Sequence, residues 1–338
     1  MRLGQNPAKA IDHVPQPKEI TVAIVTYIPF LEGYYSESLD VLKVCLNSIW
    51  ENTDLPYDLM IFDNASCVDV RSYLMECHQQ GRIQYLVLSD KNVGKGGAWN
   101  FIFQAAPGEI IAYADSDVLF YRGWLESSVN ILKTFPNIGM VTARPMRTPE
   151  SFFTSTLNWA RQAEQNGELQ IENQVFLAWE DYREHLVSLG TSDEQAREWY
   201  EEGKDWRLTL NSSARINEQA YPTTICAQIG AAHFQFTAFK SVLQKFLPFS
   251  MDRPMGQVRS LDELVNNAGF LRLGTCEVMV KHLGNHLEPS VQASQNSGFS
   301  LSTNRESQAV GSKRIYDIPA VKKLVLKVYD TIFKIYYH

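Results

Sequence analysis

Residues 109–120 read EIIAYADSDVLF. An apolar run of strand-forming residues ends in two carboxylates, Asp115 and Asp117, with one serine between them. Side chains alternate in direction along a strand, so the two aspartates share a side if the extended geometry persists. Like charges held that close repel each other, so a positive partner is expected beside them. Two carboxylates aimed into one crevice suit a hard divalent cation, Mg²⁺ or Mn²⁺. A solvated turn or a helix N-cap would use the same residues, so the surroundings decide.

Outward from this stretch the chain alternates regularly. TVAIVTY (21–27) is continuous, apolar and β-branched, the pattern of a strand buried on both faces. Residues 38–53 place Leu39, Leu42, Leu46, Ile49 and Trp50 at helical spacing. YDLMIFD (57–63) reads as a second strand, 67–80 as a helix and IQYLVL (83–88) as a third strand. A helix over 96–106, the strand at 109–114, a helix over 124–135 and IGMVTA (138–143) continue the series. Such alternation implies an α/β fold with a mostly parallel, Rossmann-like central sheet and helices on both faces. Ligands of these sheets sit at the carboxyl ends of the strands.

The flanking regions differ. Residues 1–19 carry three prolines and no periodicity, an irregular lead-in. Residues 150–222 are acidic, contain Trp159, Trp179, Trp199 and Trp206, and read as a helical hairpin inserted into the main fold. One helix is expected to stop at Gly190, and Thr191 with Glu194 has the spacing of a capping box for the next. Strand character returns over 223–289, in TTICAQIG, AHFQFT and CEVMVKH. Residues 290–338 divide into a Ser, Gln and Asn-rich loop and a C-terminal segment with Val321, Leu324, Val325, Val328, Ile332, Phe333 and Ile335 on one broad face. Lys322, Lys323, Lys327 and Lys334 occupy the rest of that helix. Two readings stand for it: a basic amphipathic helix on a membrane surface, or a terminal helix docked on the protein's own core or on another subunit, as in a homodimer.

Composition narrows the function. The chain has 338 residues, 45% of them hydrophobic, and a net charge of −7. That balance does not point to a nucleic-acid partner. Five cysteines with no C-x-x-C pair argue against a disulfide framework and a thiolate zinc site, and fit a reducing cytoplasm. No signal-peptide pattern opens the chain, and no window approaches the roughly 20 apolar residues of a membrane span.

Three further motifs carry chemistry. In IFDNAS, Asp63 ends the second strand; it suits a tight turn, or a carboxylate acceptor for the N–H of a uracil-type ring. KNVGKGGAWN (91–100) is neither a P-loop nor G-x-G-x-x-G, and reads as a glycine-rich turn open to close backbone approach. VMVKHLGN ends a strand in His282. Taken in order, the Thr-Tyr of the first strand, DNAS, NVGKGGAWN and ADSD resemble the inverting glycosyltransferases of family 2, over residues 20 to 145.

The resemblance implies a GT-A fold and a metal-dependent, inverting transfer of one sugar from a nucleotide-diphosphate sugar to an acceptor hydroxyl. It makes 20–149 the nucleotide-sugar half and 223–289 the acceptor and catalytic half. Thr26, Tyr27, Asp63, Asn92, Gly94, Gly97 and Asp115 would line the donor, with UDP or dTDP favoured by Asp63. Asp115, Asp117 and His282 would hold Mn²⁺ or Mg²⁺. The catalytic base would be Asp262, with Glu263 and then Asp252 as alternatives, although Asp262 lies closer to Gly269 than the family pattern has it. His233 would stand near the donor sugar or be a structural histidine. The Q-x-x-R-W motif of processive members is missing, which favours single-sugar addition to a glycan or glycolipid of a surface polysaccharide pathway, in the cytoplasm or on the inner membrane face. The alternatives are a sugar-nucleotide nucleotidyltransferase, disfavoured because TYIPFLEGYY replaces a glycine-rich signature after the first strand, and a non-catalytic binding protein of the same fold.

Overall fold

The first half builds its elements from the alternation just described. In the computed structural model, which describes residues 4–210, 215–216, 219–220, 225–253 and 258–287, these are β1 (Ile20–Thr26), α1 (Ser38–Asn52), β2 (Tyr57–Asn64), α2 (Val68–Gln79), β3 (Tyr85–Ser89) and α3 (Gly94–Ala105). They continue as β4 (Ile110–Asp115), β5 (Val118–Phe120), α4 (Trp124–Thr134) and β6 (Ile138–Thr142). The second half consists of α5 (Thr154–Gln165), β7 (Leu169–Gln174), α6 (Trp179–Ser188), α7 (Asp193–Glu202), β8 (Asp205–Leu210), β9 (Arg215–Ile216) and β10 (Gln219–Ala220). It closes with β11 (Cys226–Ile229), β12 (Gln235–Phe239), α8 (Lys240–Leu243), α9 (Val258–Asn267), β13 (Leu271–Gly274) and β14 (Val280–His282).

The main sheet has ten strands in the order β3-β2-β1-β4-β12-β6-β13-β11-β8-β7. β3, β2, β1 and β4 are all parallel, each joined to the next in sequence through a helix. β12 then runs antiparallel to both β4 and β6, β13 is parallel to β6, and β11, β8 and β7 pair antiparallel. The expected α/β sheet is therefore present, with its parallel character concentrated in the first half.

The period of two along β1 sorts its side chains between two cores. Ile20, Val22 and Ile24 pack with Leu42, Leu46 and Ile49 of α1, while Ala23 faces Trp99, Ile102 and Phe103 of α3. Helices thus cover both faces, and the carboxyl ends of β1, β2 and β4 are left to present Thr26, Asp63 and Asp115 along one edge.

Four expectations change. The strand expected at 109–114 is present as β4, but the extended geometry does not persist past Asp115: Ser116–Asp117 form a turn before β5, so Asp115 and Asp117 are not alternate residues of one strand. The 150–222 region is not all helical: β7 and β8 pair with each other and β8 pairs with β11, extending the main sheet at its edge. Asp205 fastens this extension, accepting from the Phe176 and Leu177 amides at 2.7 and 2.8 Å and from Arg147 Nε at 2.7 Å. At α7 the cap is Ser192, whose hydroxyl accepts from the Gln195 amide, rather than Thr191. The expectation against disulfides also falls: Cys226 and Cys276 form one. The antiparallel register of β11 and β13 sets Gln228 opposite Gly274, which brings residues 226 and 276 into line, a relation their sequence spacing hides. Cysteine usage accordingly gives no argument for a reducing compartment.

Among the described residues no helix is long and apolar enough to cross a membrane. The loop expected over 290–312 and the amphipathic helix over 321–335 lie outside the described residues.

Candidate active site

Two short strands make the central juxtaposition. β5 pairs antiparallel with β14, setting Val118 opposite His282, and the Leu283 amide donates to the Asp117 carbonyl at 2.7 Å. This delivers the His282 imidazole to the turn after β4: His282 Nε2 lies 3.3 Å from Asp117 Oδ2. Burial penalises both charged forms. Even so, the Asp117 charge raises the imidazole above its ordinary value, and the histidine with Lys95 lowers the Asp117 carboxyl. The ring's other nitrogen, Nδ1, is 2.9 Å from Ser188 Oγ, and that hydroxyl donates to the His185 carbonyl at 2.7 Å. So α6 of the inserted region orients His282 from behind, a role with no local signal in the chain.

Asp115 has a different partner from the one expected. Lys95 Nζ lies 2.6 Å from its Oδ2 and the Tyr113 hydroxyl donates to Oδ1 at 2.7 Å. The ammonium is nearly buried and stands within 5.4 Å of the Trp99 ring and 5.7 Å of the Tyr113 ring. The positive charge required beside the aspartate pair is thus supplied, at Asp115, by the lysine of the G-K-G-G segment. Both Asp115 oxygens are engaged by protein groups in this structure.

Asp117 and His282 fit a metal ion. Asp117 Oδ1 is buried with no hydrogen-bond partner among the described residues, and such a group is costly unless something positive meets it. Among the described residues no three His, Cys, Asp or Glu side chains form a group able to hold a metal on their own. A carboxylate and an imidazole would leave the remaining positions for oxygens of a substrate and for water, the usual arrangement for Mg²⁺.

The glycine-rich turn is explained by packing. Gly94 opens α3 at φ +71, a left-handed conformation that favours glycine. A Cβ at Gly96 would collide with the Ser250 carbonyl, and one at Gly97 would stand 2.8 Å from Val93 Cβ. Asn92 and Asn64 lock the turn: Asn64 Oδ1 accepts from the Val93 amide and Asn92 Oδ1 from the Gly94 amide, both at 2.8 Å, and the two side chains bond each other at 2.9 Å.

Asp63 is also committed internally. It is fully buried, binds Arg71 Nε at 2.9 Å and accepts from the Ser66 amide at 3.2 Å, so it anchors the strand-to-helix turn and has no surface to offer a base. Thr26, at the end of β1, is buried with its hydroxyl unpartnered among the described residues, and Tyr27 beside it is half-buried, edge-on to Tyr35 at 6.5 Å.

In the second half, Asp262 of α9 is buried, with Oδ1 bound to Arg272 and Oδ2 2.8 Å from His233 Nδ1. Arg272 is fully buried on β13 and donates to the Phe152 and Ala231 carbonyls at 2.6 Å. Neither Arg272 nor the strand carrying it was expected, since a charged residue in LRLG gives no core signal. Glu263 faces solvent, and Asp252 is exposed and held by the Ser250 hydroxyl.

Residues 33–183 match the family described as Glycosyl transferase family 2. An uncharacterized glycosyltransferase of Nostoc sp. is 27% identical over 100 residues, 30% of this chain and 31% of that protein. One of Rickettsia felis is 30% identical over 88 residues, 26% of this chain and 14% of that protein. The chain thus spans less than a third of the length of these curated relatives. Among solved structures, the Pyrobaculum calidifontis mannosyltransferase PcManGT, in complex with GDP-Man and Mn²⁺, aligns at 17% identity and a TM-score of 0.43, over 79% of this chain and 58% of that one.

Proposed function

We propose that this chain, which carries a family 2 glycosyltransferase domain, moves a single sugar from a nucleotide-diphosphate donor to an acceptor hydroxyl, inverting the anomeric carbon. The observation that carries this reading is the Asp117–His282 pair, with its unpartnered carboxylate oxygen, at the carboxyl edge of parallel strands. Asp117 and His282 would hold Mn²⁺ or Mg²⁺. When bound there, the cation would neutralise charge growing on the leaving diphosphate as a Lewis acid.

The remaining residues bind and orient. Thr26 and Tyr27 line the nucleotide side, where the buried Thr26 hydroxyl lacks a partner among the described residues. Lys95 keeps Asp115 neutralised, so the edge does not repel a diphosphate twice over. Asn92, Gly94 and Gly97 set the turn that carries Lys95. The acceptor is a glycan or glycolipid hydroxyl on the side of the second half, whose proton passes to a base there; the family resemblance offers Asp262 or Glu263. Asp63, whose carboxylate was the reason to expect UDP or dTDP, is fully enclosed, so the nucleotide is the first quantity to measure.

The test is a thermal-shift panel of UDP, dTDP, GDP, ADP and CDP, each with and without Mn²⁺. A ligand that binds only the folded state raises the melting temperature by mass action. A metal-dependent rise for one nucleotide is expected. Flat curves for all five, with folded protein and millimolar ligand, would overturn the reading and leave a non-catalytic binding protein.

A further inference from the structure

We propose that His233, rather than a carboxylate, takes the proton from the acceptor, with Asp262 as the positioning residue behind it; this rests on the glycosyltransferase reading above. Asp262 is poorly placed to meet an acceptor. Its side chain is only 5% exposed, and both oxygens are engaged, one by Arg272 and one by His233. His233 is 26% exposed, so its ring keeps an open edge.

The hydrogen bond sets the tautomer. A carboxylate only accepts, so Nδ1 of His233 must carry the proton it shares with Asp262. The lone pair of the neutral ring then sits on Nε2. Among the described residues Nε2 has no hydrogen-bond partner. Arg272 fixes the far side of the carboxylate and also holds the Ala231 carbonyl, so ring, carboxylate and turn are braced by one buried guanidinium. This is the logic of a base oriented by an acid, reached with a third, cationic member.

The turn lies beside the carboxyl end of β4. Residues 230–234 connect β11 to β12 and are pinned from three sides: the Gly230 amide to the Arg272 carbonyl at 3.0 Å, the Ala232 amide to Thr142 Oγ1 at 2.8 Å, and the Asp115 amide to the Phe234 carbonyl at 2.8 Å. The Phe234 ring in turn lies 5.7 Å from that of His282. His233 is therefore one residue from the strand end that leads into Asp117, on the side of the second half.

The step balances simply. The acceptor oxygen bonds to the anomeric carbon as the bond from that carbon to the diphosphate oxygen breaks. The electron pair leaves with the nucleoside diphosphate, and the hydroxyl proton moves to Nε2 of His233. General-base assistance is worth about 10²–10⁴-fold.

Two measurements test it on the full chain. The first needs no substrate: ¹⁵N-resolved NMR of the imidazole nitrogens should show His233 protonated at Nδ1 at neutral pH and should lose that preference in Asp262→Asn. A wild-type ring protonated at Nε2 would overturn the proposal. The second follows release of nucleoside diphosphate from UDP-, dTDP- and GDP-hexoses with Mn²⁺, water serving as acceptor. His233→Ala should lose at least about 100-fold in kcat with donor KM unchanged, and added imidazole should restore part of it. His233→Asn, whose amide can still donate to Asp262, should show the same loss while melting like the wild type. Full activity in either variant overturns the assignment of His233 and leaves the transferase reading standing. No turnover by the wild type on any donor removes the transferase reading and this one with it.

Discussion

The two halves of the main sheet treat buried carboxylates alike and differ in how they present them. In the parallel half, Asp63 and Asp115 lie at the carboxyl ends of β2 and β4, the strands flanking β1, and each is neutralised by a cation from the crossover helix beside it: Arg71 of α2 for Asp63, Lys95 of α3 for Asp115. In the mixed half, Asp205 is held by Arg147 and Asp262 by Arg272. Each of these four carboxylates finds a cation within its own half. Asp117 is the exception: its partner is an imidazole from the other half, and one of its oxygens is left without any partner among the described residues. A carboxylate whose oxygens are all spent on neighbours is part of the frame. One that is held at a single oxygen, between halves, has capacity for a ligand.

That contrast is easiest to break at its two extremes. Asp117→Ala should abolish both nucleotide-sugar turnover and the metal-dependent part of the nucleotide thermal shift, while the apoprotein melts close to the wild type. A variant that still binds nucleotide more tightly with Mn²⁺ would remove Asp117 from the metal site. Asp63→Ala should do the reverse. Removing one member of a buried ion pair costs about 3–5 kcal/mol, and the partial exposure of Arg71 places this case near 3 kcal/mol. Urea denaturation should show that loss. If instead Asp63→Asn melted like the wild type and changed which nucleotide binds, Asp63 would be reading the base.

The same contrast explains what could be read from the chain. α1 and the four parallel strands were legible because their signals are local: Leu39, Leu42, Leu46 and Ile49 at helical spacing, and TVAIVTY as a two-face buried run. That His282 would stand with Asp117 was expected from VMVKHLGN and the family resemblance, and the two side chains do lie together. The inserted region was misread because β7 and β8 owe their pairing to Asp205 and to the edge strand β11, contacts that no local pattern encodes. The partners of the site were missed for a related reason. Lys95 sits in a segment whose glycines attract a phosphate-cradle reading, and its salt bridge becomes visible only when α3 is laid against β4. Ser188 lies mid-insert, where a serine near a helix end reads as a cap. Arg272 and Cys276 depend on the register of β13 against its neighbours. Residue types at strand ends could be assigned; whether their oxygens were free or spent required side-chain partners from elsewhere.

A smaller effect sharpens the case for Asp117 and His282 as one unit. Ser188→Ala removes the hydroxyl against His282 Nδ1 without touching Asp117. Partners of this kind behind a metal-binding histidine are worth about 10–100-fold in metal affinity, and the lower figure is expected because the ring remains packed between Phe234 and His185. Titration of Mn²⁺ in the presence of UDP would measure it, and unchanged affinity would mean that Ser188 only fills space.

The smallest effect is a pH dependence of the apoprotein. His282 is raised above its ordinary 6.5 because, against the cost of burial, the Asp117 charge favours the imidazolium. The stability this contributes is fully present below that ordinary value and is lost as pH rises through the raised one. Asp117 is lowered from its ordinary 3.8, so its contribution is present above that value and fades only as pH falls through the lowered one. Between the two the pair is intact. The melting temperature without metal should therefore hold through mildly acidic pH and decline on the alkaline side of 6.5, and His282→Gln should flatten that decline. Mn²⁺ with UDP should reverse it, since a metal takes the neutral imidazole and gains as the proton leaves. A decline that persists in His282→Gln would assign it to another group and separate the ion pair from the ligand site it is proposed to form.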